Sequence, residues 1–451
     1  MNSSAGGGCR IPRVGMLNPT RRIAHKGRTL TLWEWGDVAT QFPHICTLSR
    51  LSGGASELAA ALHAEILRFG DFAKLSDILL RMQKIALELE EDARTLASAS
   101  VFHNLMALLN NVRRVDHNGR TIILVTLGAL AHDTASANLM TRFGVTQKVI
   151  ELLTNSQSDD IGGAAWCLSR ICRSNELADN ILIKPNLIES IVKKGLLSDV
   201  PRTSRLSAWL LGGLVRTDAH ADAMAASGLI QISVDNLVRK TSSPNIVPED
   251  ICAATYLVAR LSRSIKLSKL LARAGCVRQL ANSLQTSVDP DVLNWSARAI
   301  GCLMRPNSLD LANILLEAGS AEGLARLPRV LPDDEVEPLV SFAFTIQRFV
   351  CAEWGGGTRK ILVEAGVIDS LLSALRSASD VPAPHVHIEL VRAISFLCDI
   401  GGGEVRKEIV RAGGVEILRE VAESAQPEVA KVCDIAVTSV TGKIWSRHVG
   451  G

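Results

Sequence analysis

One phrase returns along this chain at a nearly fixed step, and a self-repeating chain must be read as repeats before anything else. It reads Arg273-Ala-Gly-Cys-Val, Glu317-Ala-Gly-Ser-Ala, Glu364-Ala-Gly-Val-Ile and Arg411-Ala-Gly-Gly-Val. Its glycine falls at Gly144, Gly228, Gly275, Gly319, Gly366 and Gly413, with Ser100 and Asn186 in the two weaker units. The steps are 44, 42, 42, 47, 44, 47 and 47 residues. A second, apolar phrase keeps the same period: Thr126-Leu-Gly-Ala-Leu, Cys167-Leu-Ser-Arg-Ile, Leu210-Leu-Gly-Gly-Leu, Leu257-Val-Ala-Arg-Leu and Ala299-Ile-Gly-Cys-Leu. It continues at Thr345, Ala393 and Ala436.

The last full unit shows what each repeat is built from. A short helix over 405–411 ends at Ala412-Gly413, where glycine supplies the positive-φ turn that reverses the chain. A second helix follows with Val415, Leu418 and Val421 on one face, and Pro427 opens a third that carries Val429, Val432, Ala436 and Val440. A trio this small cannot bury its own apolar side, so neighbours must stack around one long shared core. Composition agrees: aromatics are only 4% of the chain, with a single tyrosine, Tyr256, so the core must be filled by Leu, Ile, Val and Ala, as helix-on-helix packing prefers. The expected fold class is all-α.

The phrase Glu-Ala-Gly-x-Ile-x-x-Leu-Leu, together with Gly163-Ala-Ala-Trp-Cys-Leu-Ser-Arg-Ile-Cys, resembles the armadillo repeat family over roughly residues 88–446. The resemblance implies a right-handed α-solenoid of about eight three-helix repeats whose third helices line a concave groove. HEAT repeats, helix pairs without the glycine turn, fit less well. Residues 34–87 lack the phrase but have helical periodicity, and are expected to cap the solenoid end that would otherwise face water. Trp33 and Trp35 are expected to pack on that cap. Residues 1–33 carry six Arg or Lys and no acid, and are read as a disordered basic tail, with a targeting address as the other reading. Residues 447–451 form a C-terminal tail.

Catalytic motifs are missing from the sequence. There is no nucleophile elbow, phosphate loop, His-Glu-x-x-His pair, dinucleotide motif or calcium loop, so neither an enzyme nor a cofactor is expected. Gly355-Gly-Gly357 and Gly401-Gly-Gly403 read as linkers, and His385 and His387 as a solvated Pro-rich turn. The ten cysteines show no Cys-x-x-Cys pair and read as small core residues in a reducing compartment. No apolar stretch approaches the roughly 20 residues of a membrane span. An intracellular location, cytoplasmic or nuclear, is expected.

What remains is the groove. Aligned third helices place Trp166, Trp209 and Tyr256 in one column, and Arg170, Arg260 and Arg348 four residues on. Import adaptors of the family carry asparagine in that second column and bind basic peptides there; here no asparagine occupies it. Three residues further come Arg173, Arg216, Arg263 and Arg305, expected on the same face of the third helices. Arginine rows at the 8–10 Å spacing of packed helices point to an extended acidic or phosphorylated protein segment as partner, anchored by the aromatic column. The other two readings are arginines that only cap helix carbonyls, and a divergent import adaptor for basic cargo. A small-molecule substrate is not expected, nor is nucleic acid, given a net charge of +3. Oligomeric state is left open by the sequence.

Overall fold

Six of the third helices start on a proline at or next to the first helical position: Pro201, Pro248, Pro290, Pro338, Pro384 and Pro427. The lost N–H is one the helix could not have used, and the ring presets the helical φ. In the computed structural model the described residues are 23–25, 28–30, 54–68, 72–111, 115–155, 160–304, 307–332, 334–352, 357–378, 383–424 and 426–442. Apart from one short antiparallel pair, Ile23–His25 with Arg28–Leu30, they are helices and turns.

The helices follow in trios. Thr134–Arg142, Val145–Asn155 and Ile161–Ile171 make one, and Ile265–Arg273, Cys276–Thr286 and Pro290–Leu303 another. First helices start on a side-chain cap, with Asp133, Ser174, Thr217, Ser264 and Ser308 each accepting a backbone N–H three residues on. First and second helices are separated by a residue in the left-handed region at Gly144, Gly228, Gly275, Gly319, Gly366 and Gly413, and by Asn186 in the weaker unit. Ser100 departs from the pattern: it lies inside helix Ala99–Asn110.

At Gly275, φ is 104°. A Cβ there would meet no neighbour within 4 Å, so backbone strain alone opposes a side chain. Gly275→Ala is expected to cost about 1–2 kcal/mol of stability, read as a lower denaturant midpoint with unchanged slope. An unchanged midpoint would show that the turn relaxes freely.

Third helices stack on one another as the spine of an α-solenoid. The 117–130 helix packs against 161–171, which packs against 201–214, then 248–261, 290–303, 337–351, 384–411 and 427–441. One core of buried Leu, Ile, Val and Ala runs from Ala55 to Val440. Helix Pro384–Arg411 joins a third helix to the next first helix through a kink at Gly402 (φ 71°, ψ −161°), where the sequence placed a linker. Gly355 and Gly356 lie outside the described residues.

At the N-terminal end, Ala55–Leu67 and Phe72–Glu88 occupy the places of a second and a third helix with no first helix described before them. Phe72–Glu88 stacks on 117–130, where the buried Gln83 donates to Ile122 O at 3.1 Å and to Thr126 Oγ1 at 2.9 Å. The segment expected as a cap therefore reuses the stacking geometry of the repeats. Trp33 and Trp35 lie outside the described residues.

Candidate interaction surface

Small residues on one third helix make room for large ones on the next. A Cβ on Gly128 would lie 2.6 Å from the Trp166 ring nitrogen, one on Gly212 would lie 2.5 Å from the Tyr256 ring, and one on Gly301 would lie 2.5 Å from the Phe344 ring. The aromatic column is thus seated in the seams between repeats. Trp166 donates through Nε1 to Val125 O at 3.4 Å. Trp209, Tyr256 and Trp295 form one cluster across three helices, with ring centroids 4.4, 5.6 and 4.9 Å apart and Trp295 edge-on to both others.

Trp166, Trp209 and Tyr256 are 3%, 5% and 1% exposed, which corrects the expectation of open anchors. Ring burial against glycine backbone competes with presentation to a ligand, and packing prevails. Trp295 is only partly buried and completes the cluster.

The arginines reach back one repeat. Arg170 Nε donates to Gly128 O at 3.4 Å, and Arg260 Nε donates to the equivalent Gly212 O at 3.0 Å and through its Nη2 to Val215 O. Both guanidinium groups also lie over the ring four residues before them, at 5.7 Å from Trp166 and 5.9 Å from Tyr256. Arg348 lies 5.1 Å from the Phe344 centroid, and Arg298, a position the sequence reading left aside, lies 4.1 Å from it.

Arg173, Arg216 and Arg263 are placed differently from expectation. The third helices end at Ile171, Leu214 and Leu261, so these arginines stand in the turns to the next first helix rather than on the third-helix face. Arg173 donates to Ala131 O at 2.8 Å, and Arg216 to Cys172 O at 3.4 Å and Asn175 Oδ1 at 3.2 Å. Arg263 pairs with Asp218 at 2.7 Å. Ala131 and Cys172 are the C-cap residues of the preceding third helices, so the Arg173 and Arg216 guanidinium groups meet the negative end of a neighbour's dipole. Arg305 lies outside the described residues.

Carboxylates gather at the opposite ends of the third helices, a feature the sequence reading missed. Asp291 stands in the first turn of Pro290–Leu303, close to Asp289, Glu335 and Glu249 from its own loop and the two neighbouring repeats. Partial burial first, and then repulsion from those three acids, push its carboxyl up to about 6. Asp289 caps the helix, accepting from Val292 N at 2.9 Å. In the neighbouring repeat Asp250 pairs with Lys240 at 2.7 Å and Arg205 at 3.4 Å. The proline start of these helices was the available signal, because first-turn positions favour acids.

The histidines read as a solvated turn are helical instead. His385 Nε2 lies 2.6 Å from Glu337 Oε1, and His387 is buried with Nδ1 3.1 Å from Ala383 O. The eight described cysteines are free thiols, all but the half-buried Cys351 being buried. Burial pushes Cys172 and Cys433 up to about 11 and Cys276 and Cys398 up to about 12, which suppresses the thiolate. Among the described residues no group of three or more His, Cys, Asp or Glu is arranged to hold a metal, and no helix is long and apolar enough to cross a membrane.

No protein-family model matches the chain. Among solved structures, an engineered protein is similar over 91% of this chain and 96% of its own, at 23% identity and a TM-score of 0.61, a likeness of fold. A designed armadillo repeat protein aligns with 56% of this chain and 99% of its own at 19% identity and a TM-score of 0.47. Another, solved in complex with the peptide (KR)4, does so at 20% identity with the same coverage and TM-score.

Proposed function

On the premise of an armadillo-type repeat fold, we propose that this chain is a non-enzymatic protein-binding scaffold that holds an extended acidic or phosphorylated segment along the turns following its third helices. The observation that carries the reading is the arginine row: Arg173, Arg216 and Arg263 stand at one position in three consecutive repeats, half-buried, with guanidinium groups held in place by the preceding repeat. A hydrogen bond to a neutral carbonyl orients the Arg173 and Arg216 guanidinium groups without cancelling their charge, whereas Arg263 is oriented by its ion pair with Asp218. Successive groups follow the helix spacing of about 8–10 Å, comparable to the Debye length of about 8 Å at physiological salt, so their fields overlap. An extended segment rising about 3.3 Å per residue meets that spacing with an acid at about every third residue. The import-adaptor reading has no asparagine column to support it, since Arg170, Gly213, Arg260, Cys302, Arg348 and Phe396 stand there.

The test is a fluorescent peptide with glutamate at every third residue, measured by anisotropy at low salt. Arg216→Gln with Arg263→Gln keeps hydrogen-bond donors and removes two charges. It is expected to weaken binding about tenfold or more and to flatten its salt dependence. Equal affinity for the peptide and its Lys-substituted counterpart would overturn the reading.

A further inference from the structure

The loops that lead into the third helices leave apolar side chains in water over three consecutive repeats. Val200 is 52% exposed, Ile246 61%, Val247 37% and Val288 67%. In the next repeat the corresponding Val336 is buried, so among these four described loops the exposure covers three consecutive ones. Each loop passes directly into a proline-started helix: Val200-Pro201, Val247-Pro248 and Val288-Asp289-Pro290.

At the Val288 end of this apolar row stand the carboxylates Asp289 and Asp291, whereas beside Val247 the acids Glu249 and Asp250 are paired with Arg205 and Lys240. Asp291 has no cationic partner among the described residues, and Asp289 spends its carboxylate on a backbone N–H. Glu249 and Glu335 lie close enough to raise the Asp291 carboxyl. An exposed apolar stretch rimmed by polar groups marks an interaction surface, and the sign of the rim selects the partner.

We propose that this edge is a second docking surface, at the opposite ends of the third helices from the arginine row, for a partner-protein segment carrying both apolar and basic side chains. The apolar side chains cover Ile246, Val247 and Val288, and an ammonium or guanidinium group seats between Asp291 and Asp289. The occupant is basic because an acid brought there would add to the repulsion between Asp291 and its neighbour Asp289, while Glu249 is offset by Arg205 at 3.9 Å. This surface stands independently of the acidic-segment reading, since it uses other residues and the opposite charge.

The probe is a fluorescent peptide of three Leu-Lys-Lys-Leu units, with Lys→Glu and Leu→Ser counterparts as controls, titrated against the full chain at low salt. The first peptide is expected to bind about tenfold or more tightly than either control, the equivalent of about 1.4 kcal/mol. Asp291→Asn with Val288→Ser is expected to remove most of that preference, whereas Arg216→Gln with Arg263→Gln leaves it in place. Circular dichroism and thermal melting verify that each variant is folded. Undiminished preference in a folded Asp291/Val288 variant, control peptides that bind as well, or no binding by any of the three would overturn the proposal. Loss on the arginine variant with retention on the edge variant would instead place the basic peptide on the first surface.

Discussion

Gly212→Val and Gly213→Ala, one residue apart on the same helix, are expected to change stability in opposite directions. A side chain at Gly212 drives into the Tyr256 ring, which is wedged against Trp209 and Trp295 and cannot withdraw. Overpacking of that kind costs about 1–3 kcal/mol or more, beyond anything valine gains over glycine in helix propensity. At Gly213 a Cβ meets nothing within 4 Å, so alanine should add up to about 1 kcal/mol. Denaturant midpoints of the two variants against the parent decide the matter. Two shifts of the same sign would mean that helix propensity, not the fit between repeats, sets stability here.

The second large effect is electrostatic, and its sign follows from the direction of the shift. The folded chain holds the Asp291 carboxyl at about 6, above the ordinary value of 3.8, so ionisation opposes folding. Stability associated with this group is fully present below about pH 4 and is lost as pH rises through about 6. Asp291→Asn keeps the shape and removes the charge. It should therefore stabilise the chain by about 3 kcal/mol at pH 8, with the gain shrinking toward zero near pH 4. A pH-independent difference between variant and parent would show that Asp291 does not titrate in this way.

The spine of the molecule could be read from the sequence because its determinants are local and periodic. Glycine in the left-handed region and apolar residues at helical spacing each identify themselves within a few positions. Where the arginines reach could not be read, since a column gives an address along one repeat and says nothing of the carbonyl met on the repeat before. Arg173, Arg216 and Arg263 were assigned to the helix face because apolar spacing does not mark where a helix stops. The caps Ser174, Thr217 and Ser264 directly after them were the overlooked stop signal. The aromatic column was found but its direction was not, because Trp, Tyr and Phe serve a seam and a groove equally well in sequence. The matching glycines lie one period earlier. The carboxylates Glu249, Asp289, Asp291 and Glu335 escaped notice because only Glu249 and Asp291 share an offset from their prolines, and the four become neighbours only when the repeats stack.

The glycine-to-ring fits at Gly128 with Trp166, Gly212 with Tyr256 and Gly301 with Phe344 fall at alternate joints of the stack. Repeats are therefore matched as couples, and the chain's tolerance of shortening depends on where it is cut. Excising residues 218–261 would leave the space above Gly212 facing Arg298 instead of the tyrosine made for it. Excising 175–261 would remove a glycine together with its ring and leave the other two couples intact. In this solenoid the smallest interchangeable module is two repeats long.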